Sequence, residues 1–370
     1  MLKLYSLIKS VFLIAISLFV FNSCHLTRLG LYNYGGITDY KIFKERLVKK
    51  SDKKFSFYSA EKEKIPKPID GIPFDKFVEK NNTVAFLLIK NDTIQYEKYY
   101  NKYQKESIVN TFSVAKSILS ILIGCAIDEG LIQSVNEPIT NYIPELKKNG
   151  FEKVTIKHLL QMTSGIKFNE SYANPLGEAS LFYYGQRLKK KMMKMKLEHL
   201  PGTKFEYKSG NTQLLGWVLE RALKNKTNTQ YLQEKLWTPL GMEYDASWSI
   251  DQEKEGIERT FCCFNTRARD LAKIGRLYLN KGNWNGKQIV SEKWVQESTK
   301  IETTEGSDKG YQYQWWLPTP GKDFLAAGVL GQFVYVNPAK NIIIVRLGKN
   351  YGKIEEDAWW KMMVKLAEEY

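Results

Sequence analysis

Histidine is nearly missing from this chain: 370 residues hold three, His25, His158 and His199. Chemistry that depends on imidazole therefore has few places to begin. No Gly-x-Ser-x-Gly elbow, His-Glu-x-x-His pair, P-loop or Gly-x-Gly-x-x-Gly turn occurs, which removes the common hydrolase elbow, the zinc-protease helix and the usual nucleotide cradles. A Ser-His-Asp triad would have to use His158 or His199. His158 lies in Thr155-Ile156-Lys157-His158-Leu159-Leu160, where packing or capping suits it better than base catalysis. His199 stands just before Pro201-Gly202 with no serine partner in view. Cysteine is also scarce, with four residues, Cys24, Cys125, Cys262 and Cys263, and no Cys-x-x-Cys. This is neither a disulfide framework nor a zinc site. Adjacent cysteines seldom close on each other, so Cys262 and Cys263 are expected to be structural thiols, as is Cys125 within an apolar helix.

Long apolar runs are absent too. The longest near the start, Val11 to Phe21, spans eleven residues broken by Ser17, well short of the roughly 20 that cross a bilayer. Preceded by Lys3 and Lys9 and followed by Phe21-Asn22-Ser23-Cys24, it reads as a secretory signal at 1–23. The end of that segment resembles a bacterial lipobox, which implies lipidation of Cys24 and an exported, membrane-anchored protein at the cell envelope. Residues 24–65 are polar and lysine-rich up to Ile65-Pro66-Lys67-Pro68 and read as a tether.

What is plentiful is positive charge: 55 Lys and Arg against 40 Asp and Glu, a net +15. The excess favours anionic surroundings such as lipid headgroups or envelope polymers. The run 187–196, with six basic residues and three methionines, is the densest part. It reads either as a solvated face or as a polyanion or membrane contact.

Residues 66–370 form the folded body. Thr83–Lys90 and 93–100, rich in β-branched and aromatic residues around Asn91-Asp92, read as a hairpin. Helical spacing follows over 113–128, 155–163, 211–224, 229–237, 268–281 and 291–299. Strands return at 332–336 and 342–347, and a helix closes the chain at 355–370. The pattern predicts one sheet built from about 66–110 and 290–370, with a helical insert at about 111–289.

A serine can be activated by lysine in place of histidine. With the serine at a helix start, a lysine three residues on shares its face. The helix dipole and free N–H groups then sit beside the developing negative charge, and a dry site keeps the lysine neutral. Ser-x-x-Lys occurs five times, at Ser6, Ser51, Ser59, Ser113 and Ser164. Only Ser113 opens a long apolar helix, where Val114, Ala115, Ile118 and Leu119 surround Lys116. The bland alternative is a capping serine and a surface lysine. The usual partner of such a lysine is a tyrosine with Ser or Asn two residues on, able to relay a proton. That pattern also occurs five times, at Tyr99, Tyr172, Tyr207, Tyr278 and Tyr335. Tyr207 follows the turn Pro201-Gly202-Thr203 and heads a helix; Tyr172-Ala173-Asn174 is its rival.

Ser113-Val114-Ala115-Lys116, the segment from Thr155 to Gly165 and the segment from Pro201 to Ser209 together resemble the serine β-lactamase-like family. Landmarks at Ala268–Ala272, Trp284–Lys287 and Gly310–Trp316 extend the resemblance over roughly residues 70–365. It implies an α/β (α+β) fold, an antiparallel sheet flanked by helices with an all-helical insertion, and a site in the cleft between them. It also implies acyl transfer without metal or organic cofactor, with Ser113 as nucleophile, Lys116 as base and Tyr207 as relay. Where the family carries Lys-Thr-Gly or His-x-Gly, this chain has Gly328-Val329-Leu330-Gly331-Gln332, with Val329 at the cationic position. That departure resembles the esterase and 6-aminohexanoate-dimer hydrolase branch and implies an uncharged ester or amide. By the same matching the backbone N–H groups of Ser113 and Gln332 form the oxyanion hole, and Tyr172, Ser209, Val329, Leu330 and Gly331 contact substrate. The expected partners are a small ester or amide and the membrane, with no nucleic acid. A penicillin-interactive peptidase and a non-catalytic binder of envelope polymers are the alternatives.

Overall fold

A computed structural model describes residues 25–32 and 35–370; the signal segment and Cys24 lie outside the described residues. The centre is an eight-stranded sheet. Its order runs Tyr311–Gln312, Trp315–Trp316, Phe324–Gly328, Gln332–Asn337, Ile342–Gly348, Thr83–Lys90, Thr93–Tyr99 and Tyr58–Ser59. All neighbours are antiparallel except the last pair. N- and C-terminal parts meet where Thr83–Lys90 pairs with Ile342–Gly348.

Both faces of this sheet are covered, and strand alternation divides the side chains between them. Phe86, Leu88, Phe333, Tyr335 and Ile344 pack with Phe74, Phe77, Trp359 and Met363 under the helices Phe74–Lys80 and Glu356–Glu369. Leu87, Ile89, Val334, Val336 and Val345 turn the other way, into the larger core shared with Val114–Asp128 and Ala268–Leu279.

Two expectations need correction. The stretch read as a tether is largely part of the body: Lys44–Val48 pairs with Ala246–Ile250, and Ile37, Val48 and Phe57 are core residues. A five-residue edge strand that reads Lys-Glu-Arg-Leu-Val looks like solvated linker until its partner is known. The middle of the chain is also not all helical. It carries Ala246–Ile250 and Phe264–Thr266, which join Lys44–Val48 and Val109–Asn110 in a second, four-stranded sheet. The helix Ala268–Leu279 lies on the large sheet, so the helical part ends earlier than expected.

Candidate active site

The large sheet, the second sheet and the helical layer converge on Ser113. Val109–Asn110 leads out of the second sheet, and Phe112 holds a left-handed backbone, φ +47°, with its N–H donating to Asn110 Oδ1 at 3.1 Å. A bulky residue in that region is strained, and such strain collects at functional turns. The helix Val114–Asp128 begins at the next residue but one, with Ser113 at its N-cap position.

Lys116 is 1% exposed. Its Nζ donates to Ser113 Oγ at 3.1 Å, to Ser209 Oγ at 3.1 Å and to the Phe261 carbonyl at 2.7 Å. The ammonium touches no carboxylate oxygen directly. Burial pulls its pKa from 10.5 to about 8, while the charge of nearby Glu170 pulls it back up. A useful fraction is therefore neutral near physiological pH. Tyr207 closes the site, its ring centroid 5.2 Å from Lys116 Nζ. The ring stacks on Trp316 at 5.5 Å and meets Tyr311 edge-on at 5.9 Å. Burial holds its phenol above the ordinary range, and a hydrogen bond with Ser113 works in the opposite direction.

Ser209 starts the helix Ser209–Leu223 and is fixed by a residue that no motif announced. Glu170 accepts from Ser209 N at 2.7 Å and Ser209 Oγ at 2.6 Å, and from the Tyr172 hydroxyl at 2.7 Å. Tyr172, half exposed, thus lines the cleft without reaching Lys116. Among the other Ser-x-x-Lys pairs, Ser164 is spent on Asn211 and Lys167 is exposed. His158 caps its own helix, with Nδ1 accepting from Thr155 N at 3.2 Å.

Gly328 to Gln332 is the end of one strand, a tight turn and the start of the next, with Gly328 paired to Gln332. A side chain at Gly328 would come within 2.4 Å of Thr111 O and 3.0 Å of Ser113 N, so only glycine lets this turn approach the serine. Val329 and Leu330 face the cavity. Gly331 does not: at φ +81° its Cβ position lies 1.8 Å from Arg346 Nη1. Arg346, fully buried, donates to Gly331 O at 2.8 Å and braces the turn from behind. The Gln332 side chain is likewise structural, donating to Gly348 O at 2.7 Å.

The cavity beside Ser113 measures about 270 Å³, and Phe112, Tyr183, Tyr184, Phe261, Val329 and Leu330 supply its apolar walls. No charged side chain lines it among the described residues. Cys262 does line it, and here the thiol expectation fails: Cys262 and Cys263 are joined as a disulfide between adjacent residues. Their adjacency, taken above as a bar to closure, was the sequence feature involved. Cys263 has a left-handed backbone, φ +66°, which is how the short ring is accommodated. For a metal, Glu198, His199 and Glu206 are the one grouping within reach among the described residues. Lys208 already occupies it, with its Nζ on Glu198 and, at 2.8 Å, on Glu206.

Residues 74–363 match the Beta-lactamase family. The chain belongs to that family. A curated relative, 6-aminohexanoate-dimer hydrolase of Paenarthrobacter ureafaciens, is 29% identical over 294 residues, 73% of each chain. Among solved structures, a Bacillus anthracis protein provisionally named as a 6-aminohexanoate-dimer hydrolase superposes with a TM-score of 0.75 at 23% identity. That alignment covers 90% of this chain and 92% of the other. A family VIII carboxylesterase gives a TM-score of 0.62 at 17% identity, covering 80% and 94%. This Beta-lactamase family chain therefore shares its fold with serine hydrolases that include esterase and amide-hydrolase types.

Proposed function

We propose that this Beta-lactamase family protein is a serine hydrolase that cleaves a small, uncharged ester or amide through an acyl-enzyme on Ser113. The observation that carries the reading is Lys116, buried and bridging Ser113 Oγ and Ser209 Oγ at 3.1 Å each with no carboxylate on its ammonium. Neutral Lys116 takes the Ser113 proton as Oγ bonds to the substrate carbonyl carbon. The resulting oxyanion is held by the backbone N–H groups of Ser113 and Gln332. The proton then passes by way of the Tyr207 hydroxyl to the leaving oxygen or nitrogen, and the carbon–heteroatom bond breaks. Water repeats the sequence on the acyl-serine and releases the acid. The uncharged cavity wall and Val329 support a neutral substrate over one recognised by its carboxylate. The Paenarthrobacter relative's name supports amide hydrolysis and the carboxylesterase neighbour an ester, so both bonds belong to the proposal.

Export and anchoring through a lipidated Cys24 belong to the same proposal and rest on the residues before His25; no described helix is long and apolar enough to cross a membrane. The deciding experiment is hydrolysis of p-nitrophenyl acetate and butyrate by residues 25–370 beside Ser113→Ala. A rate lost in the variant, with acylation of Ser113 visible by mass spectrometry, supports the mechanism. Equal background rates, with no acyl adduct on any ester, amide or penicillin, would overturn it.

A further inference from the structure

The described chain opens with the helix His25–Tyr32, which in sequence follows Cys24 directly. This helix packs beside Glu178–Tyr184: Arg28 Nη1 donates to Tyr184 O at 3.3 Å, and His25 Nε2 lies 3.3 Å from Pro175 O. Its Leu29 helps wall the cavity at Ser113. Leu31, about half a turn round from Leu29, is 64% exposed, Tyr32 at the end of the helix is 42% exposed, and Leu176, next to Pro175, is 73% exposed. Three large apolar side chains held in solvent on this helix and on the segment its first residue touches call for a partner.

The basic run adjoins the same rim. It begins three residues after Tyr184, and Lys191 is near enough to His25 to depress that imidazole after burial has done so. Its short helix Leu188–Met192 buries Leu188 and Met192 and turns Lys189 in to Glu220 at 2.9 Å. Arg187, Lys190, Lys194 and Lys196 remain exposed. Cations beside protruding apolar groups are the composition that binds an anionic lipid surface, the cations meeting headgroups and the apolar groups entering the interface. The chain's net +15 has the matching sign.

We propose that this edge, apolar at Leu31, Tyr32 and Leu176 and basic along 187–196, docks on an anionic bilayer and turns the mouth of the Ser113 cavity toward the headgroup layer. An ester dissolved in that layer then reaches the cavity without crossing bulk water. From the preceding proposal this takes only that the cavity is the catalytic one.

Residues 25–370 hold every described element, so they test the surface without a lipid anchor. The measurement is cosedimentation with vesicles of phosphatidylcholine alone or mixed with phosphatidylglycerol. Binding to the anionic vesicles should exceed that to neutral ones by about tenfold or more and fall with added salt. Lys190→Glu with Lys194→Glu should reduce it to the neutral-vesicle level, and Leu31→Glu with Leu176→Glu by about tenfold. Lys287→Glu with Lys340→Glu is the matched control. These residues sit at the far end of the sheet, where Asn285, Arg276 and Asp92 join and Asn91 bonds Asn341. All three pairs should keep the solution rate on p-nitrophenyl butyrate, and Ser113→Ala should bind like the unaltered protein. No preference for anionic vesicles, or equal loss in the control pair, would overturn the docking surface. A protein that binds but hydrolyses nothing keeps the surface and sinks the catalytic reading; the reverse result separates them the other way.

Discussion

Lys116 and Lys273 are both buried, and each lies three residues after a partner at the start of a helix, Ser113 and Asp270 respectively. Their surroundings diverge from there. Lys273 is held between Asp270 at 3.0 Å and Glu243 at 3.1 Å, with Gly241 O at 3.0 Å. Lys116 has two hydroxyls and one carbonyl, and its nearest negative charge, Glu170, acts through Ser209. Carboxylates in contact fix an ammonium as a structural cation, whereas neutral acceptors leave it poorly compensated for lost water. The same residue at the same spacing thus serves as a tie in one place and as a candidate base in the other.

Exchanging each lysine for an apolar residue should break the comparison most sharply. Lys116→Met should lower the esterase rate by about a thousandfold or more while the melting temperature holds or rises. The pH dependence of stability gives a second readout. The folded pKa near 8 lies below the unfolded 10.5, so between those values the unfolded chain binds the proton that the folded one has released. The Lys116 contribution to stability therefore rises with pH across that window, by at most about 3 kcal/mol. Buried tyrosines and Cys125, whose pKa values are raised by burial, work the other way in both proteins, so chemical denaturation at pH 7.5 and 9.5 should show the unaltered protein gaining stability relative to Lys116→Met. A variant that unfolds readily would make Lys116 a structural tie after all. Lys273→Met should do the opposite. Asp270 and Glu243 lose their buried counter-charge, which costs about 3–5 kcal/mol, while activity per folded molecule stays near normal. Denaturation midpoints set against active-site titration separate the two effects.

Glu170 tunes the contrast and gives a smaller effect. Its charge raises the Lys116 pKa against burial, so Glu170→Gln should move the acid limb of the kcat/KM profile to lower pH. The amide also weakens the hold on Ser209, and the plateau rate should fall by about tenfold. A limb that moves upward, or does not move, would show that Glu170 only positions Ser209.

The lysine pair also shows what could be read in advance. Hairpin 83–99, the helix after Ser113 and the grouping of Ser113, Lys116 and Tyr207 were legible because each rests on local periodicity or a short motif in context. Glu170 was not, since its role depends on Ser209, 39 residues away, meeting it across the cleft. The edge strand Lys44–Val48 was hidden by its own charges. Its partners are far along the chain, with Lys44 opposite Ile250 and Glu45 accepting from Ser247 Oγ at 2.6 Å. Gly331 was misplaced by one turn residue, since which side of a tight turn meets Arg346 is a tertiary fact.

The smallest expected effect concerns the third ligand of Lys116. The Phe261 carbonyl immediately precedes the Cys262–Cys263 ring, and the next carbonyls are also committed. Cys262 O accepts from Trp248 Nε1 and Cys263 O from Ser249 N, each at 3.0 Å. The ring thus joins the carbonyl on Lys116 to a strand of the second sheet and leaves the segment 261–263 little freedom. Gly241 O at Lys273 is held as well, accepting from Phe55 N at 2.8 Å, but no covalent ring fixes it, and two carboxylates hold that ammonium. Reduction by a dithiol opens the ring to two thiols and closes the reductant's own disulfide, leaving the backbone bonds in place. The rate should drop about threefold to tenfold, through kcat more than KM, because the base is misplaced rather than the pocket remodelled. Cys262→Ser with Cys263→Ser should match the reduced protein and be insensitive to dithiol. If reduction leaves kcat untouched, the Phe261 carbonyl is held by the sheet alone, and Lys116 owes its position to Ser113 and Ser209.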